Sequence, residues 1–347
     1  MRSWKVLAAM ALVCLTANSF VRSQTAKSEK APSLIKATEA LIGQLDAAQK
    51  GKALIDYEAK ERTNWQFIPL ATRKGLPLME MKAGQQTAAL ELLHAAVSQL
   101  GYDKATKIMS LEGVLRQLEG PTSHERRNPL KYYFTVYGKP GASEHWGLSI
   151  EGHHLSLNFV MQGDKIVDST PQFFATNPAE LKDSYGEGFE KGLRVLREEE
   201  TLAFDLAASL SAEQRKSLML PGAVPMEIRG AAEPQPPQTA AAGVAASSLD
   251  AKQKEILRQL LHAYTDKMRA EVSEARWQAI DKDGFDKVTF GWSGADKPGV
   301  GHYYRIQGAS FLVEFINVQP DAAGNPANHI HCIWRDMTGD FDLPAGS

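Results

Sequence analysis

The protein has 347 residues, 43% of them hydrophobic, and a formal net charge of −2. A chain of this length can bury the core of one large domain or of two modest ones. Its nearly balanced charge gives no electrostatic basis for binding nucleic acid or an anionic membrane surface.

The N-terminus is typical of a secretory signal peptide. Two basic residues precede an apolar run over residues 7–15, and Val21 and Ser23 supply a site for signal peptidase. The run is too short to cross a membrane, because a spanning helix needs about 20 apolar residues. We therefore expect residues 1–23 to be removed, leaving an exported protein, periplasmic or secreted, without a membrane span. Lipid attachment at Cys14 is the weaker alternative, because the residues before it are large.

Cleavage would remove one of the two cysteines. The mature chain would then hold Cys332 alone, so no intramolecular disulfide could form in an oxidising compartment. Its stability would have to come from hydrophobic packing.

Helices precede strands in the first part of the mature chain. Residues 24–33 have the composition of a disordered lead. Apolar residues then recur at helical spacing in three segments, at 34–54, 82–99 and 104–117. From Tyr132 the period changes to two, with many aromatic and β-branched residues, which predicts three strands at 132–137, 146–150 and 154–160.

The second part of the chain shows the same order of patterns. A helix is predicted at 188–210, and Ser211 with Gln214 forms a capping box for a short further helix. Residues 230–248 contain three prolines and lack a bulky apolar period, which indicates a linker or a long surface loop. Residues 249–280 return to the helical period, and four strands are predicted to follow at 287–292, 302–306, 311–318 and 329–334.

Two segments of the second part resemble segments of the first. The residues Ala-x-Gln followed by Leu-Leu-His-Ala begin at Ala83 and again at Ala251, and the sequence from Ile150 aligns without gaps on that from Ile306. Chance similarity between amphipathic helices is the alternative, but a second match in the same order favours an internal duplication. We predict an α+β fold with antiparallel or mixed sheet and helical segments. A duplication would make it two helix-plus-meander halves packed as one unit, 34–229 and 249–347.

His329 and His331 lie on the last predicted strand, where side chains two residues apart point to the same face. The two imidazoles would be about 6.5 to 7 Å apart along the strand, which suits two ligands of one metal ion. The alternative is a solvated strand face that carries two histidines and no third ligand. Ile330, Cys332 and Trp334 form the opposite row, which we expect to face the core.

The strand after Gly152 offers a third ligand. His154, Ser156 and Asn158 form the polar row of this strand, whereas His153 belongs to the apolar row. His154 is therefore the candidate ligand, with Asn158 in the same row. His153 is expected to make a hydrogen bond at the end of the sheet. Gly152 indicates a bulge or a close backbone approach.

Charged residues of the C-terminal strands complete the candidate site. Glu314 lies in an apolar run, where a lone carboxylate is costly to bury. It could be a metal ligand or a general base, and the alternative is an ion pair with Arg305 or Arg335. His302 adds an imidazole near the start of a strand. The sequence contains no serine-nucleophile elbow, His-Glu-x-x-His motif or glycine-rich phosphate loop.

Four motifs together resemble the uncharacterised bacterial family DUF3500, and they span nearly the whole mature chain. They are Gly152-His-His-Leu-Ser-Leu-Asn158, Phe173-Phe-Ala-x-Asn177-Pro178, His302-Tyr-Tyr-Arg-Ile-Gln-Gly308 and Asn328-His-Ile-His-x-x-Trp334-Arg335-Asp336. The resemblance implies no particular activity, because the function of the family is not known.

These residues favour an exported metal-dependent enzyme. Hydrolysis is preferred to redox chemistry, because a site of imidazole and carboxylate ligands with an open position can activate water. In this hypothesis a zinc-like divalent transition metal is bound by His154, His329 and His331. Glu314 acts as base or fourth ligand, and Arg305 or Arg335 stabilises developing negative charge.

Two other hypotheses are compatible with the same residues. The protein could be a non-catalytic periplasmic protein that binds a small ligand or a metal on the polar strand face, or its histidines could only tie down strand ends. The sequence does not identify the small-molecule substrate or ligand.

Overall fold

The computed structural model describes residues 33–141 and 144–346. The predicted signal peptide, and all of the predicted lead except Ser33, lie outside the described residues. Within those residues, none of the helices combines the length and the apolar character that a membrane crossing requires.

Eight α-helices form in the described part of the chain, and side chains that accept backbone N–H groups begin several of them. They are α1 Leu34–Gln44, α2 Ala47–Ala53, α3 Ala83–Ala96, α4 Gln99–Glu119, α5 Arg197–Ser209, α6 Ala212–Leu218, α7 Ala251–Thr265 and α8 Ala270–Asp283.

The predicted helices 82–99 and 104–117 form as α3 and α4 with shifted ends, and three other predicted helices are divided or shortened. The helix predicted at 34–54 is two helices. The chain becomes extended at Leu45, and the Asp46 side chain then caps the start of α2. The helix predicted at 188–210 begins only at Arg197, since Gly188 and Gly192 have positive φ angles that end helical geometry. The segment 249–280 is divided between α7 and α8. The capping box of α6 is confirmed, with Ser211 and Gln214 bonded to each other's backbone.

Twelve strands, within the described residues, join in one sheet. They are β1 Leu54–Ile55, β2 Leu76–Pro77, β3 Tyr133–Tyr137, β4 His145–Gly152, β5 Leu155–Gln162, β6 Lys165–Asp168, β7 Gln172–Thr176, β8 Val244–Ala245, β9 Thr289–Gly294, β10 His302–Gln307, β11 Phe311–Asn317 and β12 Ile330–Asp336. The main order is β1-β3-β4-β5-β7-β12-β11-β10-β9-β8, with β2 beside β3 and β6 beside β5. Of these twelve described strands, only β1 and β3 pair in parallel, so the predicted α+β class with a mixed sheet is confirmed.

Strand β7 lies at the centre of this order and was not predicted as a strand. It is only five residues long and lies between Pro171 and Pro178, which cannot donate ladder hydrogen bonds. Its antiparallel pairing with β12 joins the N-terminal strands to the C-terminal strands. This pairing makes the sheet continuous across the two parts of the chain.

The two faces of the sheet are covered differently. The helices pack on one face, against the apolar row that includes Leu157, Phe174 and Cys332. Irregular segments cover the other face, where Trp65, Phe67, Ile228 and Phe341 pack against strand residues such as Phe173 and Ile333. The predicted core-facing row of Ile330, Cys332 and Trp334 does face the helices.

Residues 230–248, predicted as a linker or surface loop, lie along the loop-covered face. The Glu233 carbonyl accepts from the Trp65 indole at 2.7 Å, and the Thr239 carbonyl accepts from the Gln307 amide at 2.8 Å. The end of the segment forms β8, which pairs with β9. All described residues fall in one compact unit, so this segment does not separate two bodies.

Matching contacts occur in the two parts of the chain that the sequence suggested to be duplicated. Gln85, in the first turn of α3, forms the capping box of that helix. At a distance of 2.7 Å, its side-chain amide donates to the carbonyl of Gln44, the last residue of α1, and it also contacts Gln49. Gln253 forms the capping box of α7 in the same way. At a distance of 2.8 Å, its side-chain amide donates to the carbonyl of Ser209, the last residue of α5, and it also contacts Gln214. The strand order on one side of the β7–β12 pair also mirrors that on the other. These similarities support an internal duplication, which stays a prediction.

Replacement of Gly152 by alanine tests the packing at the end of β4. The new Cβ would overlap the ring of Tyr132, whose hydroxyl donates to the His153 carbonyl at 2.7 Å. Because the ring cannot move without losing that bond, we expect Gly152→Ala to lower the free energy of unfolding by about 1–3 kcal/mol, measured by urea denaturation.

The matched control is Gly113→Ala in α4, where no atom lies within 4 Å of the added Cβ. It should be neutral or stabilise by up to about 1 kcal/mol, because alanine favours a helix over glycine. Equal midpoints for the two variants would contradict the tight packing at Gly152.

Candidate metal centre

Three imidazole rings meet on the loop-covered face of the sheet, at the end where β12 begins. The Nε2 atoms of His154 and His329 are 2.9 Å apart, and those of His329 and His331 are 3.0 Å apart. One ligand atom from each ring lies within 4.8 Å of the others. We call His154, His329 and His331 the histidine cluster.

His154 lies in the two-residue turn between β4 and β5, with a φ angle of +65°. Non-glycine residues seldom adopt this left-handed conformation. Two backbone hydrogen bonds of 2.9 Å hold it here, because His154 N–H donates to the Phe67 carbonyl and its own carbonyl accepts from Ala175 N–H of β7. The turn is therefore fixed by a loop on one side and by the central strand on the other.

His329 and His331 are placed by β12 and its neighbours. The His329 N–H donates to the Asn317 side chain of β11 at 2.9 Å. His331 lies opposite Ala175 of β7 in the ladder, and its ring packs edge-on against Phe67 and Phe173 at 5.2 and 5.5 Å between centroids. The predicted parity of β12, with both imidazoles on one face, is what brings these rings together.

A carboxylate from the covering loop fixes the orientation of the His331 ring. Both Glu227 oxygens lie 2.8 Å from His331 Nδ1. A neutral imidazole has one N–H and one lone pair, so donation from Nδ1 to Glu227 leaves the lone pair of Nε2 facing the other two rings. Carboxylate–histidine–metal triads use this arrangement.

The Asn177 side chain occupies the corresponding place beside His329, with its amide nitrogen 3.4 Å from His329 Nδ1. The Asn177 Oδ1 is buried and has no partner among the described residues. Rotation of the amide by 180° would let this oxygen accept from Nδ1–H, which would leave Nε2 of His329 with a free lone pair.

Burial keeps two members of the cluster, His154 and His329, uncharged. Desolvation, followed by the neighbouring His153, His329 and His331, lowers the pKa of His154 well below its ordinary value. Desolvation and then His331 and Arg127 lower the pKa of His329 to about 3. Neutral imidazoles are the form that binds metal, so these residues are ready ligands near neutral pH.

The cluster fits the donor set of a transition metal. Metal–nitrogen distances near 2.0–2.1 Å in a tetrahedral site place ligand nitrogens about 3.3–3.4 Å apart. The two short Nε2 pairs, at 2.9 and 3.0 Å, would reach that spacing by opening a few tenths of an ångström, and all three ligand atoms lie within 4.8 Å of one another. Three protein ligands also leave one tetrahedral position for water or substrate.

Glu314 lies on β11 and has different partners from those predicted. Its carboxylate accepts from Arg229 Nε at 2.5 Å, from the Arg229 backbone N–H at 3.2 Å and from the Tyr303 hydroxyl. The alternative interpretation of Glu314, a buried ion pair, therefore holds with a different partner: Arg229 of the covering loop takes the place of Arg305 or Arg335. This ion pair supports the structural alternative for Glu314 over its proposed role as base or ligand.

The two arginines assigned to charge stabilisation also lie in other surroundings. Arg335 is fully buried, pairs with Asp340, and donates to the carbonyls of Gly230 and Glu233 at 3.1 and 2.9 Å. Arg305 lies on β10 and makes one long contact of 3.4 Å to the Ala240 carbonyl.

The three second-tier residues each have a local structural contact. His153 stacks on His154 with centroids 3.6 Å apart, but its Nδ1 contacts Glu112 and Arg127. His302 is buried on the helix-covered face, stacked on Trp292 at 5.5 Å, with Nδ1 2.8 Å from the Val300 carbonyl. The Asn158 amide donates to the Pro171 carbonyl at 3.1 Å.

Sequence reasoning missed Glu227 and Asn177. Glu227 lies in an irregular loop where no periodic pattern indicates which way a side chain points. Asn177 was noted only within a family motif, although its position before Pro178 at the end of a short aromatic strand could have suggested an ordered role.

The pH dependence of stability tests the burial of these imidazoles. The pKa of His329 is lowered from 6.5 to about 3, so between these values the unfolded chain binds the extra proton. The free energy of unfolding of the metal-free protein should therefore fall as the pH drops below about 6.5, by on the order of 2 kcal/mol at pH 5 for this residue alone.

His329→Gln should show a shallower loss in chemical denaturation between pH 7 and pH 4.5. His94→Gln is the control, because His94 is exposed on α3. If His329→Gln kept the slope of the unmodified protein, the imidazole would not be held neutral as described.

Comparison with known proteins gives a family and no function. No curated protein and no solved structure matches the chain. A family model described as "Protein of unknown function (DUF3500)" matches residues 27–343. The histidine cluster and the central β7–β12 pair lie within the matched region, and the protein therefore belongs to the DUF3500 family.

Proposed function

We propose that this protein is exported and binds one zinc-like divalent transition metal through the Nε2 atoms of the histidine cluster. The observation that carries the proposal is the convergence of these atoms, two pairs of which are 2.9 and 3.0 Å apart. Imidazole ligands suit zinc, copper, iron and nickel. The lowered pKa values of His154 and His329 and the carboxylate on His331 support the same conclusion.

Hydrolysis is the reaction that such a site supports best. A metal held by three protein ligands with one open position acidifies bound water and polarises carbonyl groups. The residues of the chain would hold and shield the ion: Glu227 orients His331, and Phe67 and Phe173 form an apolar wall beside it. Glu314 and Arg335 take no part in this mechanism, because each is held in a buried ion pair.

A non-catalytic role as a metal-binding or ligand-binding protein is the second candidate. In the described ranges, Glu227 is the only carboxylate that bonds to a member of the histidine cluster, and it already serves to orient His331. A site without a free general base fits metal storage or delivery, so activity measurements must accompany metal analysis.

Metal content after reconstitution tests the proposal directly. Purified protein treated with chelator and then with Zn²⁺ should retain about one ion per chain, with a raised unfolding temperature because the ion binds the folded state. His154→Ala, His329→Ala and His331→Ala should each lose most of this binding. The exposed residue His262 provides the control His262→Ala, which should bind like the unmodified protein.

The outcomes of this experiment separate the hypotheses. Failure of Zn²⁺, Co²⁺, Ni²⁺ and Cu²⁺ to bind the unmodified protein would overturn the metal site. Binding with metal-dependent turnover on a panel of ester, amide and phosphoester substrates supports the hydrolase. Binding without turnover favours the non-catalytic protein.

A separate variant tests the role of Glu227. Glu227→Gln removes the charge that orients His331 and favours its Nε2 lone pair, so we expect a 10- to 100-fold loss of metal affinity, measured by competition with a chromophoric chelator. Glu213→Gln is the control, because Glu213 is exposed on α6 and pairs only with Lys216 in the described structure. Equal affinities for the two variants would show that Glu227 does not support the ligand.

A further inference from the structure

A cavity of about 240 Å³ lies on the loop-covered face, over strands β9 and β10. Two arginines line it, Arg229 from the covering loop and Arg305 from β10, together with Ser293 and Tyr303. We call this cavity the arginine pocket. The proposed metal mechanism does not use it.

Neither guanidinium is fully satisfied by the described residues. Arg229 donates through Nε to Glu314 and through Nη1 to Thr239 at 2.6 Å, but its buried Nη2 has no partner among them. Arg305 is only 8% exposed, and its Nε also lacks a partner in the described part of the chain. A buried donor without an acceptor lowers the stability of the folded protein. A ligand that accepts hydrogen bonds from both guanidinium groups would remove this cost.

The charges at the pocket do not balance. Glu314 neutralises one arginine through the 2.5 Å ion pair with Arg229, and Arg305 forms no ion pair of its own with the residues that the structure describes. Burial and the nearby Arg229 charge both lower the pKa of Arg305, as expected for two cations facing each other. One excess positive charge suits a singly charged anion.

The remaining walls of the pocket are apolar. Leu220, Pro221 and Pro225 line the side formed by the covering loop. We propose that the arginine pocket binds a small organic monocarboxylate, with its carboxylate at Arg305 and Arg229 and its apolar portion against these residues. Guanidinium groups recognise carboxylates through charge-assisted hydrogen bonds.

The pocket is distinct from the histidine cluster although both use the same face of the sheet. Tyr303, Ile316 and His331 are aligned across β10, β11 and β12, so Tyr303 and His331 are two strands apart, roughly 10 Å. Carboxylates also bind zinc, and the test must therefore exclude the metal centre.

Calorimetric titration with acetate, butyrate and benzoate tests the proposal on the chelator-treated full chain. We expect at least one of them to bind, while the neutral isostere benzamide does not and phenyl phosphate binds more weakly than benzoate. Arg305→Gln should weaken carboxylate binding at least tenfold, and Arg305→Lys should weaken it less. Arg197→Gln, at an exposed position of α5, should leave it unchanged.

Several results would overturn the proposal. These are no binding of any of the three carboxylates below about 10 mM, equal affinity for benzoate and benzamide, or an Arg305→Gln variant that folds and binds normally. Loss of binding in His331→Ala would also overturn it, because the carboxylate would then occupy the metal centre. The comparison of benzoate with benzamide needs no variant, so it stands even if Arg305→Gln fails to fold.

Discussion

The antiparallel pairing of β7 with β12 is the interaction on which the rest of the structure depends. It connects two groups of strands that are far apart in sequence, and it places His331 opposite Ala175. The backbone N–H of Ala175 in turn donates to the His154 carbonyl. A single ladder therefore positions the turn of one half and the strand of the other, and the three imidazoles meet because of it.

The covering loops determine which chemistry this face can perform. Without them, His329 and His331 would be a solvated pair on a strand. Phe67 of the covering layer packs with Phe173 of β7 against the His331 ring, and Glu227 fixes the tautomer that leaves a lone pair toward the other rings. The same layer supplies Arg229, which forms an ion pair with the buried carboxylate of Glu314.

The sequence predicted what depends on local periodicity. Alternation along the last strand was enough to put His329 and His331 on one face. The same rule chose His154 over His153, although His154 lies in the turn before β5, where hydrogen bonds to Phe67 and Ala175 hold it. Helix positions were also predicted, with errors at Asp46 and before Arg197, where a capping side chain and glycines with positive φ override the apolar pattern.

The parts that could not be predicted depend on non-local contacts or on irregular backbone. β7 is too short and too closely bounded by prolines to show a strand pattern, and yet it is central. Glu314 was correctly expected to need a partner. Its partner Arg229 comes from an irregular loop, where no hydrophobic periodicity indicates which way a side chain points. Glu227 was missed for the same reason. Side chains on the covering layer are placed by the sheet beneath them, and not by their own sequence neighbours.

The position of β7 and β12 in the chain has a kinetic consequence. Residues 172–176 pair with residues 330–334, and about 150 residues separate the two strands in sequence. Closing so long a loop costs conformational entropy. It is also expected to be slow compared with formation of the hairpins on either side. The histidine cluster does not exist until this closure is complete. An ion that binds all three imidazoles would bind only the closed sheet, and it would therefore draw the folding equilibrium toward the joined state after both halves have formed.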